Sequence, residues 1–426
     1  MRQRSALESA RVPYDTGPHP PVALVARSLL AMADACGGSA AADTDAAYSA
    51  YDSFEDMGVE PALLRGIFSC GLEKPSPIQQ RVIRPIADGR DAIGQSPSGA
   101  GKTTAFLIGA LARITFSATS CQGLGLAPTR ELAQQIHKAA CALGEQHLGL
   151  RCHACVGGTA WREDAKALRA GQHLVVGTPG RVLDLIEKGV LGVASLRVFI
   201  LDEADEMLSC GFKDQIYSIF RTLHPAVQAC IFSATLPSDV LELAAKFMRE
   251  PVRILPKSEQ LSVDGVNQFY VAVEKEAWKL DVLLDLFESL TIAQSIVYCN
   301  TQRKVDYLYK EMCKHEIAVS VMHGGLGPEE RQRAMRDFGS GASRMLVATD
   351  LLSRGIDVQP ASLVINYDLP QSAEQYFHRI GRCGCFGRQG AAVSFVTDKE
   401  IPWMREIERR FATQISELPA DLADVI

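Results

Sequence analysis

The segment Ser96-Pro97-Ser98-Gly99-Ala100-Gly101-Lys102-Thr103 constrains this chain more than any other. It follows a short apolar run, Asp91–Gly94, and precedes a helical run from Thr104 to Leu111. The phosphate-cradling pattern is G-x-x-x-x-G-K-[ST], and only its first glycine is replaced, by Ser96. Gly99 and Gly101 let the backbone turn so that its amides face a triphosphate. The helix N-terminus behind them adds partial positive charge. Lys102 supplies a point charge to the β and γ phosphates, and Thr103 a hydroxyl to Mg²⁺. A small-residue turn with no ligand would not require Gly-Lys-Thr after a strand.

The rest of the chain alternates in the same way. Asp91–Gly94, Gly123–Ala127, Leu174–Gly177, Val198–Leu201 and Ala229–Ser233 read as buried strands, with amphipathic helices such as Glu131–Leu143 and Asp239–Arg249 between them. The pattern restarts near Gln268, with strands expected at Phe269–Val273, Ser295–Cys299, Val319–His323, Met345–Thr349, Leu363–Asn366 and Ala391–Phe395. The polar stretch Pro256–Val266 reads as a linker. The expected organisation is a tail over residues 1–50, an α/β domain over 51–255, a linker over 256–266 and a second α/β domain over 267–426. In each domain helices should cover both faces of a parallel sheet. No short-period repeat is visible. The tail carries Pro18, Pro20 and Pro21 and then an Ala/Gly/Ser-rich stretch, so it is expected to be disordered. Arg2, Arg4, Arg11 and Ser5 give a faint transit-peptide signal that Glu8 opposes.

Charge and cysteine content narrow the partners. Lys plus Arg number 44 against 50 Asp plus Glu, a net charge of −6 over 426 residues. No global positive field exists, so nucleic-acid contacts must be local. No 18-residue apolar run occurs, so no membrane span is expected. Twelve cysteines without a secretory signal point to reduced thiols in the cytosol or nucleus. Cys152 and Cys155 form a CxxC with no second pair at zinc-site spacing, and read as buried or idle thiols.

Val198-Phe199-Ile200-Leu201 runs into Asp202-Glu203-Ala204-Asp205. A buried strand ending in two acids presents them at the carboxyl edge of its sheet, where ligands bind. Asp202 would hold Mg²⁺ with Thr103, and Glu203 would orient and polarise the attacking water.

Asp202-Glu203-Ala204-Asp205 resembles the signature of the DEAD-box RNA helicases. From about Phe54 to Ile426 the chain is similar to that family in motif order and spacing, above all to its translation initiation factor 4A subgroup. The stretches FKDQIY, QFYVAVEKEAWKLD and ATDLLSRGIDV carry the subgroup likeness. The resemblance implies two tandem RecA-like domains, an RNA-dependent ATPase that separates short duplexes, and ATP with Mg²⁺ as cofactors. It also implies a HEAT-repeat initiation scaffold as partner, no membrane, a monomer, and a cytoplasmic or nuclear address.

Residue by residue, Gly71 to Gln79 resembles the motif whose glutamine reads adenine, since an amide donates and accepts at once. Phe54 and Lys74 then stand beside the nucleotide. Ser98, Gly99, Ala100, Gly101, Lys102 and Thr103 surround its phosphates, Asp357 its ribose and Phe386 its base. RNA would meet Pro128-Thr129-Arg130, Gly157-Gly158, Thr178-Pro179-Gly180-Arg181, Arg331, Thr349 and Arg354. These are hydroxyls, amides and arginines that bind phosphate and sugar, which implies single-stranded binding without sequence preference. Asp205, Ser233, Thr235, His378 and Arg379 would couple the ATP and RNA states, and Arg382 would act catalytically as an arginine finger. One departure matters most. The family's last motif ends in a second finger, and here His378-Arg379-Ile380-Gly381-Arg382 leads to Cys385. A neutral thiol in place of a guanidinium should slow hydrolysis. The alternative is an ATP-gated RNA clamp with little turnover. Pro97, Cys210, Gly325 and Gly339 are milder departures.

Overall fold

Runs of four apolar residues such as Leu174–Gly177 and Val198–Leu201 have no polar face, so both sides of the strand must be covered. The computed structural model shows how. It describes residues 50–97, 99–255, 266–289, 294–351, 361–383 and 390–419. Nearly all of the expected tail and of the expected linker, and Ser98, Arg354, Asp357, Cys385 and Phe386, lie outside these residues.

Seven strands form the first sheet: β1 (Ala92–Gln95), β2 (Gly123–Leu126), β3 (Cys152–Cys155), β4 (Leu174–Gly177), β5 (Val198–Leu201), β6 (Gln228–Ser233) and β7 (Val252–Ile254), in the order β3-β4-β2-β5-β6-β1-β7. Seven more form the second: β8 (Val266–Ala272), β9 (Ser295–Tyr298), β10 (Val319–Met322), β11 (Met345–Ala348), β12 (Leu363–Asn366), β13 (Gly390–Val396) and β14 (Ser416–Glu417), in the order β10-β11-β9-β12-β13-β8-β14. Counting strands from the start of each sheet, the two orders are identical. Every pairing is parallel. These are the two tandem RecA-like domains.

Helices begin where their sequence provides a cap. Thr129, Thr301 and Ser372 accept the third-residue amides of Leu132, Lys304 and Gln375 at 3.2, 3.3 and 3.2 Å. Pro61, Pro77, Pro179 and Pro328 stand in first turns, where a missing N–H costs nothing. In the first core the rings of Phe106 and Phe232 lie 5.2 Å apart and fully buried, each contributing about 1.5–3 kcal/mol. Gly94 makes room for them, since a Cβ there would stand 2.5 Å from the Phe232 ring.

Three strands were illegible in the sequence. β3 contains His153 between cysteines and is half-exposed at a sheet edge, while β7 and β14 are three and two residues long. β8 opens at Val266, inside the expected linker, because Val266 pairs with Gly390. No helix of the described residues is long and apolar enough to cross a membrane.

Candidate active site

Strand ends assemble the site. Leu201 pairs with Leu126 and Ile231, and Gln95 pairs with Ser233. The residues that follow these positions therefore emerge together at one carboxyl edge. The loop after β1 is tied to the end of β6 by the Ser96 amide donating to the Ser233 carbonyl at 3.2 Å.

Lys102 opens the helix Lys102–Leu111 and is 5% exposed. Its ammonium donates to the Ser96 carbonyl at 2.8 Å and lies 3.3 Å from Glu203 Oε1. Thr103 Oγ1 donates to Asp202 Oδ2 at 3.4 Å. Glu203 adopts a left-handed backbone, φ 53° and ψ 56°, at a cost of about 1–3 kcal/mol for a residue with a Cβ. Its other oxygen, Oε2, is buried without a hydrogen-bond partner among the described residues. Burial, then the neighbouring Glu203 charge, pushes Asp202 up to about 7 against the pull of Lys102. An ammonium, a hydroxyl, two acids and an orphaned buried oxygen fit a nucleoside triphosphate with a hard dication. Thr103 and Asp202 are the oxygen donors that would hold the Mg²⁺.

Gln79 sits beneath the loop. It is 3% exposed at the third position of the helix Pro77–Ala87. Its Oε1 accepts from the Ser76 amide at 2.8 Å, and its Nε2 donates to Gly101 O at 3.3 Å and Thr104 Oγ1 at 2.7 Å. The amide therefore props the phosphate loop, with both Nε2 protons committed to it and one Oε1 lone pair left over. Gly101, at φ 90°, has no alternative here, since a Cβ would stand 2.6 Å from Gln79 Nε2. Lys74, Gly99 and Ala100 border the same edge, Lys74 and Gly99 exposed. Phe54 is fully buried in the first core, so it offers no open face to a base.

The second lobe reaches the site through the helix Ala373–Ile380. His378 Nε2 lies 3.4 Å from Asp205 Oδ2, which also accepts from the Thr235 amide at 3.0 Å and the Thr235 hydroxyl at 2.6 Å. Ser233 Oγ accepts from the Asp205 amide at 3.2 Å. All of these side chains are buried. Burial would raise Asp205, but the His378, Thr235 and Ser233 contacts hold its carboxyl well below the usual range. Burial would lower His378, but Asp205 outweighs it and the imidazole is raised. When the lobes part, His378 reverts to about 6.5. The pair thus contributes fully below that value and is lost as pH rises through the raised value, with Asp205 ionised throughout. Closure measured by fluorescence transfer between labelled lobes should be stronger at pH 6 than at pH 8.5. In His378→Gln the difference should vanish, and its persistence would refute the assignment.

The comparisons with known proteins decide what this arrangement belongs to. The DEAD/DEAH box helicase family matches residues 76–243, and the helicase conserved C-terminal domain matches residues 278–387. Eukaryotic initiation factor 4A of Cryptosporidium parvum is 57% identical over 88% of this chain and 92% of its own. This chain belongs to the DEAD-box RNA helicase family. ATP-dependent RNA helicase eIF4A of Schizosaccharomyces pombe is 54% identical over 88% of the helicase described here and 95% of its own length. Among solved structures, S. cerevisiae Dbp5 bound to RNA and ADP BeF3 superposes with a TM-score of 0.82 at 35% identity, covering 88% of the helicase and 97% of Dbp5. By family the helicase is an RNA-dependent ATPase.

The edges beyond the nucleotide loop carry the remaining residues. The helix after Pro128-Thr129 starts at Arg130, whose guanidinium lies over Gly157 and Gly158. A Cβ on Gly158 (φ 85°) would stand 2.4 Å from Arg130 Nη1. Thr178 and Pro179 start the helix Pro179–Glu187, with Gly180 exposed. Arg181 is pinned by Asp164, Nε and Nη2 both at 2.8 Å from Oδ2. Asp164 also holds His153 at 3.0 Å, a clamp the sequence did not disclose because a first-turn acid looks like any other. Arg331 Nη1 lies 3.0 Å from Glu131 Oε1, a second pair that joins the lobes. Thr349 lines a cavity of about 370 Å³ with Asn300, Gln302, Gly324, Gln371 and Gln375, at the carboxyl ends of β9, β10 and β11.

Arg379 is fully buried inside the second lobe. Nε and Nη2 meet Asp350 at 2.5 and 2.9 Å, Nη2 also meets Asn300 Oδ1 at 2.8 Å, and Nη1 donates to Asp368 O at 2.7 Å and Asn366 Oδ1 at 3.3 Å. All five donors are used, binding together residues at or beyond the ends of β9, β11 and β12. Arg379 thereby fixes the helix whose next-door His378 faces Asp205. Arg379→Ala should cost about 3–5 kcal/mol in urea unfolding, because it removes a fully buried charged partner and leaves the Asn300, Asn366 and Asp368 oxygens without its donors. A loss below 1 kcal/mol would contradict this. Arg382 follows the same helix and is 9% exposed.

Proposed function

We propose that the helicase clamps single-stranded RNA without sequence preference when ATP and Mg²⁺ draw its two lobes together, and that hydrolysis releases it. The observation that carries this reading is the pair of interlobe contacts, His378 to Asp205 and Arg331 to Glu131, at 3.4 and 3.0 Å. The first ends on the acid cluster that holds Lys102. The second lies beside the Arg130 and Gly158 edge. One closure therefore serves both ligands. The likeness to Dbp5 in its RNA-bound form supports the same arrangement. A Methanococcus jannaschii DEAD box protein of similar identity, 33%, superposes with a TM-score of only 0.53.

In this reading Lys102 and the loop amides bind the phosphates, with Gln79 bracing the loop. Glu203 Oε2 accepts a proton-bearing contact from the attacking water. Mg²⁺, when bound, would neutralise phosphate charge. Arg382 approaches the terminal phosphate on closure, with Asp357 and Phe386 at the ribose and base. Thr129, Arg130, Gly157, Thr178, Gly180, Arg331, Thr349 and Arg354 bind the RNA backbone, while Arg181 acts through its bond to Asp164. Cys385 removes one cation from the transition state and slows turnover. The same cysteine favours a second reading, an ATP-gated clamp that scarcely hydrolyses. The relatives named as initiation factor 4A support a role in translation initiation, and a cytoplasmic address and a HEAT-repeat scaffold as partner belong to the same proposal.

Steady-state turnover with homopolymer RNAs tests the proposal. Poly(U) and poly(A) should stimulate ATP hydrolysis to a similar extent and single-stranded DNA should not, since 2′-hydroxyl contacts separate RNA from DNA. Equal stimulation by DNA would overturn it.

A further inference from the structure

The helix Arg130–Leu148 and the edge strand β3 set two thiols against each other. Cys141 on the helix and Cys152 at the start of β3 lie side by side on either side of one imidazole, that of His137. One turn before Cys141, His137 brings Nε2 to 3.7 Å from the Cys141 sulfur and 3.2 Å from the Cys152 carbonyl oxygen, so one ring nitrogen faces both. Both residues are partly buried and unbridged. Cys155, three residues along the strand, is buried in the core on the opposite face of the sheet. The CxxC is therefore not the reactive pair, and Cys152 is not idle.

Electrostatics divides the roles. Hydrogen bonds from Cys152 and then His137 draw Cys141 below the ordinary thiol range, outweighing its burial. The same contact with Cys141, followed by burial, pushes Cys152 up. His137 is raised, first by Cys141 and last by Glu145. These contacts favour the thiolate at Cys141 and the protonated forms of His137 and Cys152, the arrangement of a nucleophile poised beside a resolving thiol.

We infer that Cys141 and Cys152 are a peroxide-reactive dithiol that closes reversibly to an intramolecular disulfide. The Cys141 thiolate attacks one oxygen of hydrogen peroxide. The O–O bond breaks, the departing oxygen leaves as hydroxide and takes a proton from His137, and Cys141 becomes a sulfenic acid. The Cys152 sulfur then attacks the Cys141 sulfur. An S–S bond forms, the S–O bond breaks, and the Cys152 proton leaves with the oxygen as water. The two sulfurs lose two electrons and the peroxide gains them, and an external thiol reverses the process. The link would tie the helix that begins at Arg130 to the strand that runs on to Gly157 and Gly158.

Reduced full-length protein treated with hydrogen peroxide, alkylated and mapped by peptide mass spectrometry tests the inference. The expected result is two thiols lost per chain, one crosslinked pair joining Cys141 to Cys152, and full recovery with dithiothreitol. Cys141 should react at least tenfold faster than the exposed Cys70 and Cys313. In Cys152→Ser, Cys141 should stop at a sulfenic acid that dimedone traps, and in Cys141→Ser, Cys152 should survive the same exposure. The inference is overturned if Cys141 reacts no faster than Cys70 and Cys313. It is equally overturned if Cys141 oxidises in the unsubstituted protein without joining Cys152.

Discussion

Glu203→Gln lowers ATP turnover by about 100-fold or more and leaves nucleotide affinity within a few-fold. Positioned proton acceptors contribute about 10²–10⁴ to rate. Glu203 combines the features such a group needs. Its Oε1 is held 3.3 Å from the Lys102 ammonium, so the side chain is oriented. Its Oε2 is buried and has no donor among the described residues, so it can accept from water. The left-handed backbone at φ 53° sets that direction and is maintained despite its cost. Glutamine keeps the shape and can keep an oxygen toward Lys102. It then presents an N–H where the water needs an acceptor. In the proposed reading binding rests on Lys102, Thr103 and the loop amides, all of which the substitution leaves in place. Fluorescent-nucleotide titration alongside single-turnover hydrolysis separates the two effects. Turnover within threefold of the parent would mean that Glu203 is not the acceptor.

Cys385→Arg raises turnover by tenfold or more in the presence of RNA. A guanidinium at a transferring phosphoryl group contributes about 10³–10⁵ in related NTPases, and in the proposed reading Arg382 is left as a single finger, with part of that stabilisation unused. The gain should fall on kcat rather than on KM, because the charge develops in the transition state. Unchanged turnover would show that Cys385 does not face the phosphate on closure, and would refute the proposed slowing of hydrolysis.

Much of this was legible in the chain itself. Gly-Lys-Thr after β1 and two acids after β5 fix the sheet edge, because a parallel strand can present such groups only at its carboxyl end. Strands β4 and β5 match their apolar runs residue for residue, since complete burial disfavours polar interruption, and β12 matches its expected span with a hydrogen-bonded Asn366 at its end. The identical strand order of the two sheets was not legible. Topology depends on which strands neighbour in space, and these two lobes share it without a visible repeat in sequence. The bracing role of Gln79 had a readable sign, because Ser76 and Gln79 stand at capping-box spacing. The clamps of Asp164 on Arg181 and of Asp350 on Arg379 had none, since each partner comes from a different element.

RNA clamping and hydrolysis, as proposed, depend on a single event, the meeting of both lobes at one terminal phosphate. A crystal structure of the full chain with a non-hydrolysable ATP analogue, Mg²⁺ and a short oligouridylate measures it directly. It should show Lys102 and Arg382 on the same γ-phosphate, His378 still on Asp205, and RNA phosphates against Arg130 and Arg331. A complex in which Lys102 holds the nucleotide while Arg382 touches no part of it, with the RNA bound to one lobe alone, would contradict it.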